Sequence, residues 1–254
     1  MMAGRGLAIY ATAAYLFLHL PLFVLAVFSA NSSRFSVWEG FSFRWYRAMF
    51  DDQQLQRAAL NSLLLAFGCT IIATVIGTLA AYGLWKRGST GMTVALSTSL
   101  VTPEIVTGVS LLAFFQGVFR FAHLQLGLHT VMLAHVSFTL AYVLVVILAR
   151  LRTFDVTLEE AARDLGAGDF AAFRLVTLPY LAPAIAAAAM LAFAVSMDDF
   201  VITSLVAGVD SETLPMVIYA MARRGVNPVV NAVSTTIVLL LGVMIMLSER
   251  LRKS

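Results

Sequence analysis

Three carboxylates interrupt stretches of sequence that are otherwise strongly apolar. Glu104 lies in one such stretch, and Asp198 and Asp199 lie side by side in another, shortly after Ser196. An acidic residue at the centre of a lipid bilayer costs about 2.5–3.5 kcal/mol, so each of these needs a partner or a watery cavity. We therefore expect the three carboxylates, together with Ser196, to line a polar passage through a membrane.

The chemistry of such a passage favours a small, positively charged solute. Carboxylates can replace the water lost from an ammonium group, whereas they repel anions. Adjacent residues on a helix point in different directions, so at most one of Asp198 and Asp199 is expected to face the passage squarely. For Asp199, an ion pair with Arg223 or Arg224 is an alternative role.

An aromatic pair, Trp45 and Tyr46, lies in a polar segment between Arg44 and Arg47. Aromatic residues often anchor a chain at the membrane–water interface. The alternative is a cation–π surface, because the face of an aromatic ring attracts an ammonium group. Trp45 and Tyr46 are therefore candidate substrate contacts, with the anchoring role left open.

The composition is that of a membrane protein. Of 254 residues, 60% are hydrophobic and 12% are charged, with a mean hydropathy of +0.89. A water-soluble domain carries about 25% charged residues. The formal charge of +3 is too small to indicate nucleic acid binding. It is compatible with basic loops that lie against anionic lipid headgroups.

The elements that must position these residues are membrane-spanning helices. A run of about 20 apolar residues crosses roughly 30 Å of hydrocarbon as a helix. A single all-α transmembrane domain is therefore expected over residues 1–254. Six runs of suitable length occupy approximately residues 7–30, 60–84, 92–117, 128–149, 181–202 and 231–248.

Six spans place both termini on one side of the membrane, and the basic residues indicate which side. With cytoplasmic termini, ten of the 17 Lys and Arg residues fall in the inner segments, which are also shorter in total than the outer ones. This is the sense of the positive-inside rule. Counting about 1.5 Å per residue from the inner end of each run puts Glu104 about 18 Å and Asp198 about 26 Å deep.

The inner segment over residues 157–179 carries its own structural signals. Thr157 and Glu160 have the spacing of a capping box, which begins a helix. Gly166 or Gly168 can end it. The short helix between them is amphipathic. Its apolar stripe, which must pack on its own bundle or on a partner, is Leu158, Ala161, Ala162 and Leu165, opposite Glu159, Glu160, Arg163 and Asp164.

The same segment resembles the EAA loop of ATP-binding-cassette (ABC) importer permeases. Glu160-Ala161-Ala162, three residues, Gly166, nine residues, Val176, one residue and Leu178-Pro179 match the pattern E-A-A-x3-G-x9-I-x-L-P, with Val176 in place of isoleucine. The resemblance implies a type I importer permease of the MetI-like fold, whose coupling helix sits in a cleft of an ATPase subunit. The residues implied in coupling are Glu160, Ala161, Ala162, Arg163, Asp164 and Gly166.

Further motifs are similar to spermidine/putrescine importer permeases of the PotC type. This resemblance implies a polyamine substrate delivered by a periplasmic solute-binding protein. It also implies a second homologous permease, as a heterodimer, two ATPase subunits and a bacterial inner-membrane location. The motifs are Pro103-Glu104-Ile105-Val106-x-Gly108-x-Ser110-Leu111-Leu112, Ser196-x-Asp198-Asp199-Phe200-Val201, Leu214-Pro215-x3-Tyr219 and Arg224-Gly225-Val226-Asn227-Pro228-x2-Asn231-Ala232.

The sequence lacks the common signatures of nucleotide, metal and covalent chemistry. It contains no G-x-x-x-x-G-K-[ST] phosphate loop. ATP and Mg²⁺ are therefore expected to be used by the partner ATPase, and this chain is expected to be a transport subunit without its own cofactor. Cys69 is expected to be a small buried residue. Four histidines without metal-ligand spacing are expected to have packing or interfacial roles: His19, His123, His129 and His135.

Three other functions remain open at this level. A sister ABC importer for another small solute shares much of the pattern. A self-contained cation-coupled secondary transporter or channel would use Glu104, Asp198 and Asp199 as a relay, without a separate ATPase. A membrane-embedded enzyme with a catalytic aspartate pair leaves the EAA-like segment unexplained.

Overall fold

The computed structural model describes residues 2–35, 37–122, 124–225 and 227–253, with the side chains of 2–5, 120, 122, 241 and 243–253 left aside. His123 and Val226 lie outside the described residues. Regular structure in the described part is helical. The helices are α1 (Met2–Ser29), α2 (Arg44–Asp51), α3 (Gln53–Arg87), α4 (Thr90–Ser97), α5 (Glu104–Ala122), α6 (Leu128–Leu151), α7 (Thr157–Asp164), α8 (Asp169–Ala172), α9 (Leu178–Asp198), α10 (Val201–Val206), α11 (Leu214–Arg223) and α12 (Pro228–Lys253).

Four of these elements are long and apolar enough to cross a membrane, within the part of the chain that the structure describes. A bent pair of helices makes a fifth candidate span. The sixth predicted span, residues 231–248, falls within α12, where the described apolar part is Pro228–Leu240. The count of six therefore stays a prediction. The four elements are Gly6–Ser29, Gln53–Arg87, Leu128–Leu151 and Asp169–Asp198.

The third predicted span is broken rather than straight. Two helical parts, Thr90–Leu100 and Glu104–Phe119, meet at an angle of 102°. Pro103 stands at the junction. Proline has no N–H to donate and disfavours helical geometry in the residue before it, here Thr102. The count of depth along a straight helix therefore does not apply to Glu104.

The fifth predicted span, residues 181–202, begins earlier and ends earlier than expected. A helical run starts at Asp169, passes through a π-helical turn over Phe173–Thr177 and continues as α9. It stops at Asp198, because Asp199 has an extended backbone with ψ 124°. A second short helix, α10, follows directly.

The chain divides into two compact units, residues 57–216 and residues 1–56 with 217–254. In the first of these, α3, α6 and α9 share a buried core. Small residues let the helix backbones approach closely, which is how membrane helices gain packing contacts. At Gly77 an added Cβ atom would lie 2.7 Å from a methyl carbon of Val143, so α3 and α6 meet there. The buried alanines of this core are Ala73, Ala81, Ala188 and Ala192.

A second core in the same unit holds the broken segments together. Phe115 of α5, Phe138 of α6 and Ile202 of α10 are buried members of it. Gly108 lets α5 approach α10, because a Cβ atom there would lie 2.6 Å from the Leu205 side chain. The two interrupted helices are therefore packed against each other beside α6.

In the other unit, α12 packs against α1 and α2. The loop after α1 is organised by the buried side chain of Asn31. Its Oδ1 atom accepts hydrogen bonds from the backbone N–H groups of Ser33 (3.2 Å) and Glu39 (3.1 Å), and its Nδ2 atom donates to the carbonyl of Val37 (2.8 Å).

Candidate functional site

A cavity of about 440 Å³ opens between the bend at Pro103 and the break between α9 and α10. Glu104, Asp198 and Asp199 all contribute to its wall, although Glu104 lies 94 residues before Asp198 along the chain. Neither Lys nor Arg occurs among the described residues of this wall. The lining residues are Ser99, Leu100, Thr102, Pro103, Glu104, Thr107, Phe138, Tyr142, Val195, Asp198, Asp199, Phe200, Val201 and Ile202.

The two helix interruptions explain why the carboxylates meet here. Glu104 is the first residue of α5, directly after the bend, and Asp198 is the last residue of α9. Both side chains are exposed to the cavity side of this unit. Each interruption therefore places an acidic side chain and a stretch of non-helical backbone in the same cavity wall. Non-helical backbone is tolerated in membrane proteins where it lines a cavity.

Asp199 is in a different environment from Asp198, because it is only 9% exposed. Its carboxylate accepts hydrogen bonds from the Thr203 hydroxyl (2.7 Å) and the Thr203 backbone N–H (2.8 Å). A further bond comes from the backbone N–H of Ile202 at 3.4 Å. Asp199 therefore caps the start of α10 and satisfies amide donors that would otherwise be unpaired.

His135 of α6 extends this buried network. Its Nε2 atom lies 2.9 Å from the Thr203 hydroxyl and 3.4 Å from Asp199 Oδ2, and its Nδ1 atom lies 2.7 Å from the hydroxyl of Ser196. Ser196 is buried and lies outside the cavity wall described above. His135 and Ser196 thus support the wall from behind, by fixing the end of α9 and the start of α10.

Cys69 of α3 is fully buried, and its sulfur lies 3.1 Å from the Thr139 hydroxyl. The Thr139 hydroxyl in turn donates to the backbone carbonyl of His135 (2.6 Å). The thiol is therefore a small packed residue whose polar neighbours include a hydroxyl of α6.

The EAA-like segment forms α7, but its capping differs from the prediction. Thr157 is the first helical residue, and its N–H and hydroxyl both donate to Asp155 Oδ1, at 3.0 and 2.8 Å. Asp155 is therefore the capping residue, and the predicted pairing of Thr157 with Glu160 is wrong. These two hydrogen bonds lower the pKa of the exposed Asp155 carboxyl.

Gly166 ends α7, as predicted. Its φ of +91° lies in the left-handed region that glycine adopts without strain. The N–H of Gly166 donates to the carbonyl of Arg163 (2.8 Å), and that of Ala167 donates to the carbonyl of Ala162 (3.0 Å). This pair of bonds is a Schellman motif, which satisfies the last carbonyls of the helix.

The rotation of α7 contradicts the prediction for Glu159, while packing of the apolar stripe on a partner stays a prediction. Glu159, assigned to the polar face, is completely buried. Leu158 and Leu165, assigned to the apolar stripe, are 50% and 91% exposed. Ala161 and Glu160 are exposed as well. The helix therefore presents much of its apolar side away from this unit, because a buried charge holds the opposite side inward.

Glu159 lies at the junction of three elements. Its carboxylate accepts hydrogen bonds from Lys86 Nζ, the Thr177 hydroxyl, the Tyr82 hydroxyl (3.1 Å) and Arg163 Nη2 (3.4 Å). Burial alone would raise the pKa of Glu159. The hydrogen bonds from Lys86, Thr177 and Tyr82, with the charge of Lys86, outweigh burial and lower the pKa.

The remaining coupling residues implied by the EAA resemblance are more exposed than Glu159. Arg163 bridges inward to Glu159 and outward to Asp169 Oδ1, which is 2.9 Å from its Nε atom. Asp164 is exposed at the end of the helix. Ala162 is half-buried.

Trp45 and Tyr46 lie in the other unit, where both serve local structure. The indole N–H of Trp45 donates to the carbonyl of Asn31 (2.8 Å), and the Tyr46 hydroxyl lies 2.7 Å from that of Ser29. The guanidinium of Arg44 covers the Trp45 ring at 4.3 Å from its centroid. These contacts give both residues a structural role within this unit, while the interfacial anchor and the substrate contact both stay predictions.

Sequence reasoning missed Glu159 with its partner Lys86 and the supporting role of His135. A helical pattern that alternates acid and apolar positions does not say which side faces the bundle. A signal was available at Lys86, since a lysine at the end of a long apolar helix needs water or an anion beside its charge. For His135, an apolar run around an imidazole predicts burial but not its partners.

The family of the chain follows from comparison with known proteins. Residues 73–253, which include the cavity and α7, match the model of the "binding-protein-dependent transport system inner membrane component" family. The chain belongs to this family.

Three relatives are polyamine transport proteins by name. The chain is 39% identical to the spermidine/putrescine transport system permease protein PotC of Escherichia coli K12, over 94% of this chain and 91% of PotC. It is 41% identical to the putrescine transport system permease protein PotI of the same organism, over 90% and 84%. It is 38% identical to PotC of Haemophilus influenzae, over 92% and 91%.

Two solved structures share the fold of the permease. A bacterial ABC transporter involved in the import of alginate superposes with a TM-score of 0.72 at 15% identity, covering 99% of this chain and 96% of that one. The MetNI methionine ABC transporter in inward-facing form superposes with a TM-score of 0.65 at 18% identity, covering 81% and 96%. The permease is thus an all-helical inner membrane component with the fold of ABC importer permeases.

Proposed function

We propose that this permease carries a small cationic solute, a polyamine such as spermidine or putrescine, through the bacterial inner membrane as a subunit of an ABC importer. The observation that carries the proposal is the cavity whose wall contains Glu104, Asp198 and Asp199 and, among its described residues, no cation. The names of the relatives PotC and PotI support the same substrate class.

The cavity has the chemistry that an alkyl diamine requires. Exposed carboxylates at Glu104 and Asp198 can each accept hydrogen bonds from an ammonium group, and charge-assisted bonds of this kind are among the stronger ones. Phe138, Tyr142 and Phe200 add aromatic surface for the alkyl chain and for cation–π contact. The volume of about 440 Å³ falls in the range of about 300–1,000 Å³ that is usual for small-molecule sites.

The exposed side of α7 is the proposed seat of an ABC ATPase subunit. Leu165 is 91% exposed, and the nearby Phe170 is 74% exposed. Apolar groups this exposed at a membrane protein's inner end indicate a protein contact. The EAA spacing and the fold shared with ABC transporters support an ATPase subunit as the occupant. ATP and Mg²⁺ would be bound there, and this chain would act as the transport subunit rather than as an enzyme.

The complete importer would contain two ATPase subunits, a second homologous permease and a periplasmic solute-binding protein. In this arrangement the permease has six spans, with α12 as the last, and both termini are cytoplasmic. Closure of the ATPase pair would pull the coupling helices together and rock the permease pair between inward-facing and outward-facing states. Such alternating access requires a helix packing with two stable arrangements.

The test is uptake by the reconstituted complex. Proteoliposomes that contain the permease with its partner permease and ATPase are given the cognate binding protein and radiolabelled putrescine, spermidine, glutamate or maltose. The expected result is ATP-dependent uptake of a polyamine and no uptake of glutamate or maltose. Uptake that persists without ATP and without ATPase subunits would favour the secondary transporter. ATP-dependent uptake of a different solute alone would favour a sister importer.

A further inference from the structure

Glu159 is the buried charge that the transport chemistry leaves unexplained. It lies next to Glu160 of the EAA motif, yet its side chain is 0% exposed while Glu160 is exposed. Its hydrogen-bond partners come from three different elements: Lys86 and Tyr82 at the end of α3, Arg163 of α7, and Thr177 directly before α9.

We propose that Glu159 is a positioning residue that locks α7 to the inner ends of α3 and α9, so that the three move as one rigid body during transport. This inference rests on the proposed function, because it concerns how force applied to α7 reaches the permease. Glu160 and the other exposed residues of α7 meet the ATPase. Glu159 holds the helix to its own chain.

The cluster resists separation for electrostatic reasons. A carboxylate removed from water is tolerated only when charged or polar donors surround it, and withdrawing one partner leaves a buried charge without compensation. Aromatic rings exclude water around Glu159: the Tyr82 ring lies 4.6 Å from that of Phe173, and Lys86 Nζ lies 5.1 Å from the Trp85 ring. Sliding α7 relative to α3 would break these contacts together.

The helix α9 connects the Glu159 cluster to the cavity wall. Thr177 contacts Glu159 at one end of the helical run, and Asp198 stands in the cavity wall at the other. The 21 residues of α9 span about 30 Å at 1.5 Å per residue. A displacement of α7 is therefore carried along one continuous helix to a carboxylate of the proposed solute site. If α7 were not held to α9, a displacement of α7 would not be transferred to Asp198 in the cavity wall.

The experiment measures the coupling ratio, meaning polyamine molecules taken up per ATP hydrolysed, in the reconstituted complex. The variants are Glu159→Gln, Lys86→Met and Lys86→Arg. Asp169→Asn is the control, because Asp169 is 88% exposed and contacts the Nε atom of Arg163, not the buried carboxylate. For Glu159→Gln and Lys86→Met we expect ATPase subunits to remain bound and the ratio to fall about fivefold or more, the lower end of site-to-site coupling. Lys86→Arg and Asp169→Asn should keep the wild-type ratio.

Each outcome decides a separate question. A wild-type complex that shows no ATP-dependent uptake would contradict the proposed function itself. A wild-type complex that couples normally, with Lys86→Met keeping the same ratio, would overturn the role of Glu159 alone. If Glu159→Gln and Lys86→Met both fail to assemble with the ATPase, the cluster is needed only for folding, which also overturns the positioning role. Loss of coupling in Lys86→Met with rescue in Lys86→Arg supports it.

Discussion

The Oδ2 atom of Asp199 lies 2.7 Å from the Thr203 hydroxyl and 2.8 Å from the Thr203 backbone nitrogen. This carboxylate therefore completes the first turn of α10, while the adjacent Asp198 is exposed in the cavity wall. Two neighbouring residues of the same type have different tasks because the helix ends between them. The extended backbone at Asp199 turns its carboxylate toward α10, whereas the Asp198 side chain stays exposed, although both residues line the cavity.

Replacing each aspartate by asparagine should separate these two tasks. Asp198→Asn should lower polyamine uptake, because a carboxylate at the proposed solute site is lost, and should leave the thermal stability of the purified complex unchanged. Asp199→Asn should lower that stability, since removing a side-chain cap costs about 0.5–2 kcal/mol. Uptake assays and thermal unfolding in detergent measure the two effects. Equal stability of both variants would contradict the capping role of Asp199.

Glu104→Gln should weaken solute binding by about tenfold or more, because a hydrogen bond to a charged group contributes about 1.5–3 kcal/mol and 1.4 kcal/mol corresponds to tenfold. The measurement is the apparent KM for polyamine uptake, with ATPase co-purification as the check on assembly. Glu39→Gln is the control, because Glu39 is an exposed acid outside the cavity wall. Unchanged uptake in both Glu104→Gln and Asp198→Asn would remove the site assignment.

The parts of the fold that composition determines were predictable from the sequence. Apolar length located α3 and α6, and the left-handed conformation needed after α7 was implied by Gly166. Pro103 indicated an interruption in the third span but not its angle of 102°, because the angle depends on packing between α5 and α10. The early end of α9 was missed for a similar reason, since the cap at Asp199 forms only once Thr203 and His135 are in place.

The rotation of α7 could not be predicted from its own residues. The amphipathic pattern predicted that Glu159 faces solvent and that Leu158 and Leu165 pack on the bundle or on a partner. Burial of Glu159 is stable here because Lys86 and Thr177, distant in sequence, supply donors to the acid. Whether a charged side chain is buried depends on hydrogen-bond partners elsewhere in the chain, and the periodicity of one helix gives no information about them.

Gly208→Ala should destabilise the permease strongly. A Cβ atom at Gly208 would lie 1.7 Å from the carbonyl oxygen of Leu126, and backbone cannot yield as a flexible side chain does. Overpacking of this kind costs about 1–3 kcal/mol or more. The matched control is Gly117→Ala in α5, where no atom lies within 4 Å of the added carbon. Thermal unfolding in detergent should give a lower midpoint for the first variant and an unchanged or higher midpoint for the second.

Gly166→Ala should disturb the end of α7 and reduce coupling to the ATPase. A residue with a Cβ atom pays about 1–2 kcal/mol to adopt the left-handed conformation that Gly166 has, with φ +91°. Gly168→Ala is the control, because its φ of −70° suits any residue and no atom lies within 4 Å of the added carbon. Solute-stimulated ATPase activity should fall in the first variant only. Wild-type activity in Gly166→Ala would contradict the need for this helix end.

Glu160→Lys tests docking itself, because it reverses a charge on the exposed side of α7. Wild-type transport in Glu160→Lys would contradict docking at α7.

Glu159 should make the stability of the permease depend on acid pH in a defined sense. Its pKa is lowered from the usual 4.5 in the folded chain, so its ionised form stabilises the folded state at any pH above that usual value. The contribution is lost as the pH falls below 4.5 and through the lowered pKa, because the carboxyl must then be protonated. The difference in unfolding midpoint between wild type and Glu159→Gln should therefore be constant from neutral pH to about 5 and shrink at more acidic pH. A difference that grows on acidification would mean that the buried carboxyl is protonated in the folded chain, and the ion pair with Lys86 would then be absent.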